Sequence, residues 1–147
     1  MYILFVVFMI VICFLLAPGV PVEHYIDTIS LLILLFVAIP VLISTGLLKD
    51  FNNAFKLGLS RKKEATIREV KRAIEAVVLF QKVIITTSIF SFLFCMIIIL
   101  IQKPEYDNLL ASIAVNILSP LYATVIALLL QPMEVNLKLR LQDMLHE

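Results

Sequence analysis

A chain of 147 residues that is 62% apolar and 16% charged, with three Gly, no Trp and a mean hydropathy of +1.07, cannot close as a water-soluble domain without leaving apolar surface in water. A bilayer accepts that surface, so composition points to an all-α polytopic membrane protein. The formal charge of +1 conceals charges that are segregated along the chain, and no nucleic-acid partner is expected.

Met1 to Ala17 is apolar throughout and ends at Pro18-Gly19. A signal peptide competes with a retained first span over about residues 2–17. The missing basic leader favours the span. Residues 18–27 carry Glu23, His24 and Asp27 but no Lys or Arg, which marks an outer loop under the positive-inside rule. His24 reads as a solvated loop residue before it reads as a proton carrier.

The second span is expected over Thr28–Leu48, with Pro40 inside it and Gly46 near its end. Proline removes one backbone hydrogen bond, so a bend is predicted, with Ser44 and Thr45 placed to compensate the opened backbone. The stretch 49–81 holds eight of the twelve basic residues: Lys49, Lys56, Arg61, Lys62, Lys63, Arg68, Lys71 and Arg72. It is therefore the cytoplasmic loop. Residues 51–56 suggest an interfacial helix leaving the second span, and Gly58-Leu59-Ser60 a break that caps the next one. Anionic lipid binding is one reading of the basic residues; plain orientation by charge with a solvated face is the other.

From Arg61 to Ile101 no proline or glycine interrupts a basic amphipathic pattern that turns into a membrane-length apolar run. One helix of roughly 60 Å is expected, about twice the hydrocarbon thickness, with about half of it in water. Ile67, Val70, Ile74 and Val77 recur at helical spacing, so its aqueous part needs a partner helix. The third span itself covers 83–101. Thr87, Ser91 and Cys95 follow at i+4 steps as a small, weakly polar stripe, which suits close helix packing or, alternatively, a hydrated pore face. A short turn around Pro104 then forces an antiparallel hairpin.

The fourth span, 109–131, is the most polar: Ser112, Asn116, Ser119 and Ala123 share one face, and an amide at membrane depth must find a partner or water. Pro120 should kink this helix. After Pro132 the tail 132–147 fits a helix that continues into the cytoplasm. The whole reads as one domain of four spans, the third and fourth extended into the cytoplasm, with both termini inside.

No Asp, Glu, Lys, Arg or His lies within these spans, and Cys13 and Cys95 stand alone in apolar runs without CxxC or His/Cys spacing. Proton-exchange by an intramembrane carboxylate, thiol–quinone chemistry and membrane hydrolysis all require groups that this pattern does not supply. No enzyme, catalytic residue, metal or cofactor is expected.

The segments TISLLILLFVAIPVLISTGLLKDFNNAFK and NLLASIAVNILSPLYATVIALLLQPMEVNLKLR, together with the long helix between them, resemble the second span, last span and third helix of the MotA/TolQ/ExbB proton channel family. The resemblance covers roughly Asp27 to Arg140. It implies a proton or sodium channel subunit in the cell membrane, a homopentamer around a single-span partner of the MotB/ExbD/TolR type that supplies the ion-carrying aspartate. By position it implies Thr87, Ser91, Asn116, Ser119 and Thr124 as pore lining, with Pro120 and Pro132, like Pro40 in the second span, shaping the helices. The loop 49–82 is short for a motor subunit, so no flagellar role is carried over. A non-conducting structural or assembly subunit of the same architecture is the other reading.

Overall fold

The computed structural model describes residues 7–8, 11, 27–59, 65–102 and 106–146. Among them the chain is helical, with no strand: α1 Thr28–Ser44, α2 Leu48–Leu59, α3 Ile67–Gln102 and α4 Tyr106–His146. The expected first span over 2–17 and the basic run 61–64 lie outside the described residues, apart from Val7, Phe8 and Val11, which are helical. Two helices, α3 and α4, are long and apolar enough to cross a membrane; α1 and α2 pass the same test only if taken together as one bent span.

α1 starts where the Asp27 carboxylate accepts from the Ile29 N–H at 3.1 Å, satisfying one of the amides that a first turn leaves free. It ends four residues before the expected Leu48. Gly46, at φ 68°, takes the left-handed conformation that closes the end: its N–H donates to Ile43 O at 3.0 Å, and that of Leu47 reaches back to Leu42 O at 2.9 Å. Ser44 and Thr45 hydroxyls both donate to Val41 O at 2.9 Å. They cap this terminus instead of serving the carbonyl of Phe36, which Pro40 deprives of its N–H partner, because a hydroxyl reaches back only three or four residues. The turn sets α2 at 102° to α1, in keeping with an interfacial helix.

α3 begins at Ile67, later than the expected Arg61. Thr66 and Glu69 form a reciprocal box: the Thr66 N–H donates to the Glu69 carboxylate at 2.9 Å, and the Glu69 N–H to the Thr66 hydroxyl at 3.3 Å. Ala65 and Thr66 are not helical, so the helix does not reach back to Arg61 unbroken. Its 36 residues still give a helix of about 54 Å, and the 41 of α4 about 60 Å, both longer than the hydrocarbon layer. α4 passes through Pro120 and Pro132 as one helix.

α3 and α4 make an antiparallel hairpin whose register is fixed twice. The Asn116 amide donates to Phe92 O at 3.0 Å, and the Gln81 amide to Ala127 O at 3.4 Å. Both bonds define the same alignment, which sets Ser88 level with Pro120. The core lies away from the turn: Leu34, Ala38 and Leu42 of α1, Ala54 of α2, Val70, Ala73, Val77, Phe80 and Ile84 of α3, and Ala123, Leu130, Met133 and Leu137 of α4. Of the stripe expected to need a partner, Val70 and Val77 are fully buried, Ile74 is half-buried and Ile67 is exposed, with Ala73 and Phe80 completing the contact face.

α1 is displaced along the hairpin, toward its far end. The Asp27 N–H donates to the Tyr122 hydroxyl at 2.6 Å, and the Arg72 guanidinium reaches Gly46 O at 3.4 Å and Asp50 at 3.0 Å. Four spans lying level would set α1 beside 83–101. Instead these pins hold it beside the half of α3 that carries Arg68, Lys71 and Glu75.

Candidate functional site

The polar residues singled out from the sequence fall into three settings. Asn116 and Ser119 are buried in the seam between α3 and α4, Thr87 and Ser91 are half-buried, and Thr124 is exposed on the flank of α4. Helical spacing explains the division. Asn116, Ser119, Ala123 and Ala127 recur every three or four residues along one stripe, all small or compact, and let α4 approach α3 closely. Thr124 is one residue beyond that stripe and turns away from it.

Three hydroxyls of this hairpin are spent within their own helices. Ser88, 1% exposed, donates to Ile85 O at 2.8 Å, Ser112 to Asn108 O at 2.8 Å and Thr124 to Pro120 O at 2.8 Å, each within its own helix. The Asn116 amide is the polar side chain that links the helices at this level. Ser119, 3% exposed, is different: among the described residues its Oγ is the buried side-chain polar atom without a partner. Pro120 beside it has no N–H, so the carbonyl of Asn116 also lacks its usual intrahelical donor. A hydroxyl without a partner and a carbonyl without its usual helical donor thus lie within one turn, in an apolar setting where an unmade bond is costly.

Two participants were missed by sequence reasoning. Ser88 lies four residues past Ile84 and continues the buried Val77–Ile84 stripe, a signal overshadowed by the Thr87, Ser91 and Cys95 series. Tyr122 lies among the polar residues of 109–131, but its bond to the α1 terminus depends on tertiary placement. The three prolines stand in the helices named for them: Pro40 in α1, Pro120 and Pro132 in α4. A shallow open groove on α3 is lined by Lys82, Val83, Thr86 and Thr87.

The described residues contain no cluster of three or more His, Cys, Asp or Glu side chains that could hold a metal ion. Among the described residues one titratable group is clearly perturbed. The Glu69 carboxyl is held below its ordinary range by the Thr66 N–H and, next, by the Thr66 hydroxyl. It is a helix cap, away from the seam. Comparison of the chain with models of protein families, with curated proteins and with solved structures yields no match.

Proposed function

We propose that this chain is an ion-channel subunit of the MotA/TolQ/ExbB type, a multi-pass protein of the cell membrane with four spans and both termini in the cytoplasm. Copies form a ring around a single-span partner that brings the ion-binding aspartate. The observation that carries the reading is the Asn116–Ser119–Pro120 step: an unpartnered buried hydroxyl and a proline-freed carbonyl deep in an apolar hairpin. Such groups are retained at a cost in a membrane, and a route for a hydrated ion gives them a use. Half-buried Thr87 and Ser91 extend the hydroxyl supply along α3.

A second reading has its own support. Ser88, Ser112 and Thr124 spend their hydroxyls on their own helices, and the Asn116 amide is occupied by Phe92 O. That is what a non-conducting assembly subunit needs, since small polar residues then serve close packing.

The complex extracted gently from its own membrane separates the two. Five copies with two single-span chains, and a reconstituted proton flux abolished by Asn116→Leu, establish the channel. A ring without a single-span chain, or a flux that Asn116→Leu leaves intact, favours the assembly subunit. A monomer or a two-fold oligomer overturns both.

A further inference from the structure

α1 presents Ile29, Leu32, Phe36, Ile39 and Ile43 along its outer face, Phe36 being 79% exposed and Ile43 58%. A face of that kind belongs in hydrocarbon, and it stops at the Thr45-Gly46 turn. The chain then leaves at 102° as α2, across the direction of α1. α2 therefore lies at the boundary where hydrocarbon gives way to headgroups.

Its own residues suit that place. Ala54 is buried against the bundle, while Lys49, Asn52 and Lys56 recur at i, i+3 and i+7 on the opposite face, all exposed, and Phe55 at the edge is 40% exposed. Neither lysine is ion-paired among the described residues. Of the carboxylates nearby, Asp50 is ion-paired with Arg72; Glu69, bonded only to the neutral Thr66, keeps its charge, which one of the two cations beside it on α3 balances. Arg68 and Lys71, also exposed, add charge on the first two turns of α3, the helix that Arg72 joins to α2.

We infer that the outer face of α2 is a binding site for anionic phospholipid, with Lys49 and Lys56 holding the headgroup charge and Phe55 set among the acyl chains beside it. The site fixes the depth of the bundle: it holds the first turns of α3, which carry Arg68, Lys71 and Arg72, in the headgroup layer, level with the end of α1. It needs only that the chain is embedded in a membrane, and stands or falls apart from ion conduction.

The test is a full-length chain with Cys13→Ser, Cys95→Ser and Asn52→Cys, carrying a fluorophore at position 52, in bilayer discs of phosphatidylcholine. Headgroup-spin-labelled phosphatidylglycerol and headgroup-spin-labelled phosphatidylcholine are compared as quenchers at equal mole fraction. Phosphatidylglycerol should be enriched at the label roughly fivefold, and Lys49→Gln with Lys56→Gln should bring it to the phosphatidylcholine level. Lys138→Gln, in a residue already paired with Glu134, should leave the enrichment unchanged. If the double variant loses helical content, raising salt on the parent protein tests the same charge, and the excess should fall. Equal quenching by the two lipids, an excess that survives the double substitution, or one insensitive to salt overturns the site.

Discussion

The two ends of the α3–α4 hairpin are built on different terms. At the end where α1 and α2 pack, Leu34, Leu42, Val70, Val77, Ile84 and Leu137 are closed off by their own chain, and hydrogen bonds tie each short helix to a long one. At the turn end, none of the described residues from 89 to 102 or from 108 to 115 is buried, and Phe90, Leu100 and Ile101 are each more than 60% exposed. One end is a core that holds itself together. The other is apolar surface whose neighbours are lipid or further chains.

Truncation should separate the ends most sharply. Leu42→Ala removes side-chain volume from a site that is 1% exposed and should cost about 2 kcal/mol or more, through lost contacts and the cavity left behind. Phe94→Ala removes a larger side chain, 55% exposed, and should change the stability of the isolated chain in micelles by less than about 0.5 kcal/mol. Reversible unfolding in mixed micelles measures both, and equal losses would erase the distinction.

Close approach at the packed end supplies the next effect. A Cβ on Gly58 would stand 2.7 Å from Met133 Cγ, and Met133 is itself buried, so the clash cannot be relieved by a simple swing into solvent. Gly58→Ala should cost about 1 to 3 kcal/mol in the same assay. If Gly58→Ala costs little further in a Met133→Ala background, the loss belongs to this contact; an equal loss in that background would assign it to the helix backbone of α2.

Local patterns were readable from the sequence and relative placement was not. The Val70/Val77 stripe, a separate helix through residues 51–56, and the unbroken passage from a charged into an apolar helix all follow from residue spacing within one element. The start of α3 was written in Thr66-x-x-Glu69, yet the uninterrupted run from Arg61 outweighed it. The displacement of α1 depends on contacts between elements: on Tyr122 meeting the Asp27 N–H, and on Arg72 choosing Asp50 and Gly46. Among the polar residues, the stripe through Asn116 and Ser119 was visible as a face. Which hydroxyl would be left without a partner was not, because Ser88 and Ser119 look alike in sequence and differ only in what surrounds them.

That difference makes Ser119 a place where the expected sign reverses. Deleting a satisfied buried polar group costs stability, whereas deleting an unsatisfied one removes a desolvation penalty. Ser119→Ala should therefore be neutral or stabilising by about 1 kcal/mol, while Asn116→Ala, which loses the bond to Phe92 O, should destabilise by a similar amount. Gain of stability together with loss of ion flux in Ser119→Ala would identify a hydroxyl kept for function. A destabilised Ser119→Ala would show that its Oγ is bonded in the membrane.

The smallest effect belongs to the cap of α3, and its sign follows from Glu69. Hydrogen bonds from Thr66 stabilise the carboxylate, so its pKa in the folded chain lies below that in the unfolded chain. A depressed carboxyl contributes stability above the unfolded value and loses it as pH falls through the folded one. The first turn of α3 should thus fray in acid while remaining constant through neutral pH, read as amide exchange protection at residues 67–70 corrected for intrinsic rates. Glu69→Gln keeps hydrogen-bonding capacity but not the charge, so it should flatten that acid dependence with little change at neutral pH. An unaltered acid profile in Glu69→Gln would move the titration to another group and leave the Thr66 box as geometry alone.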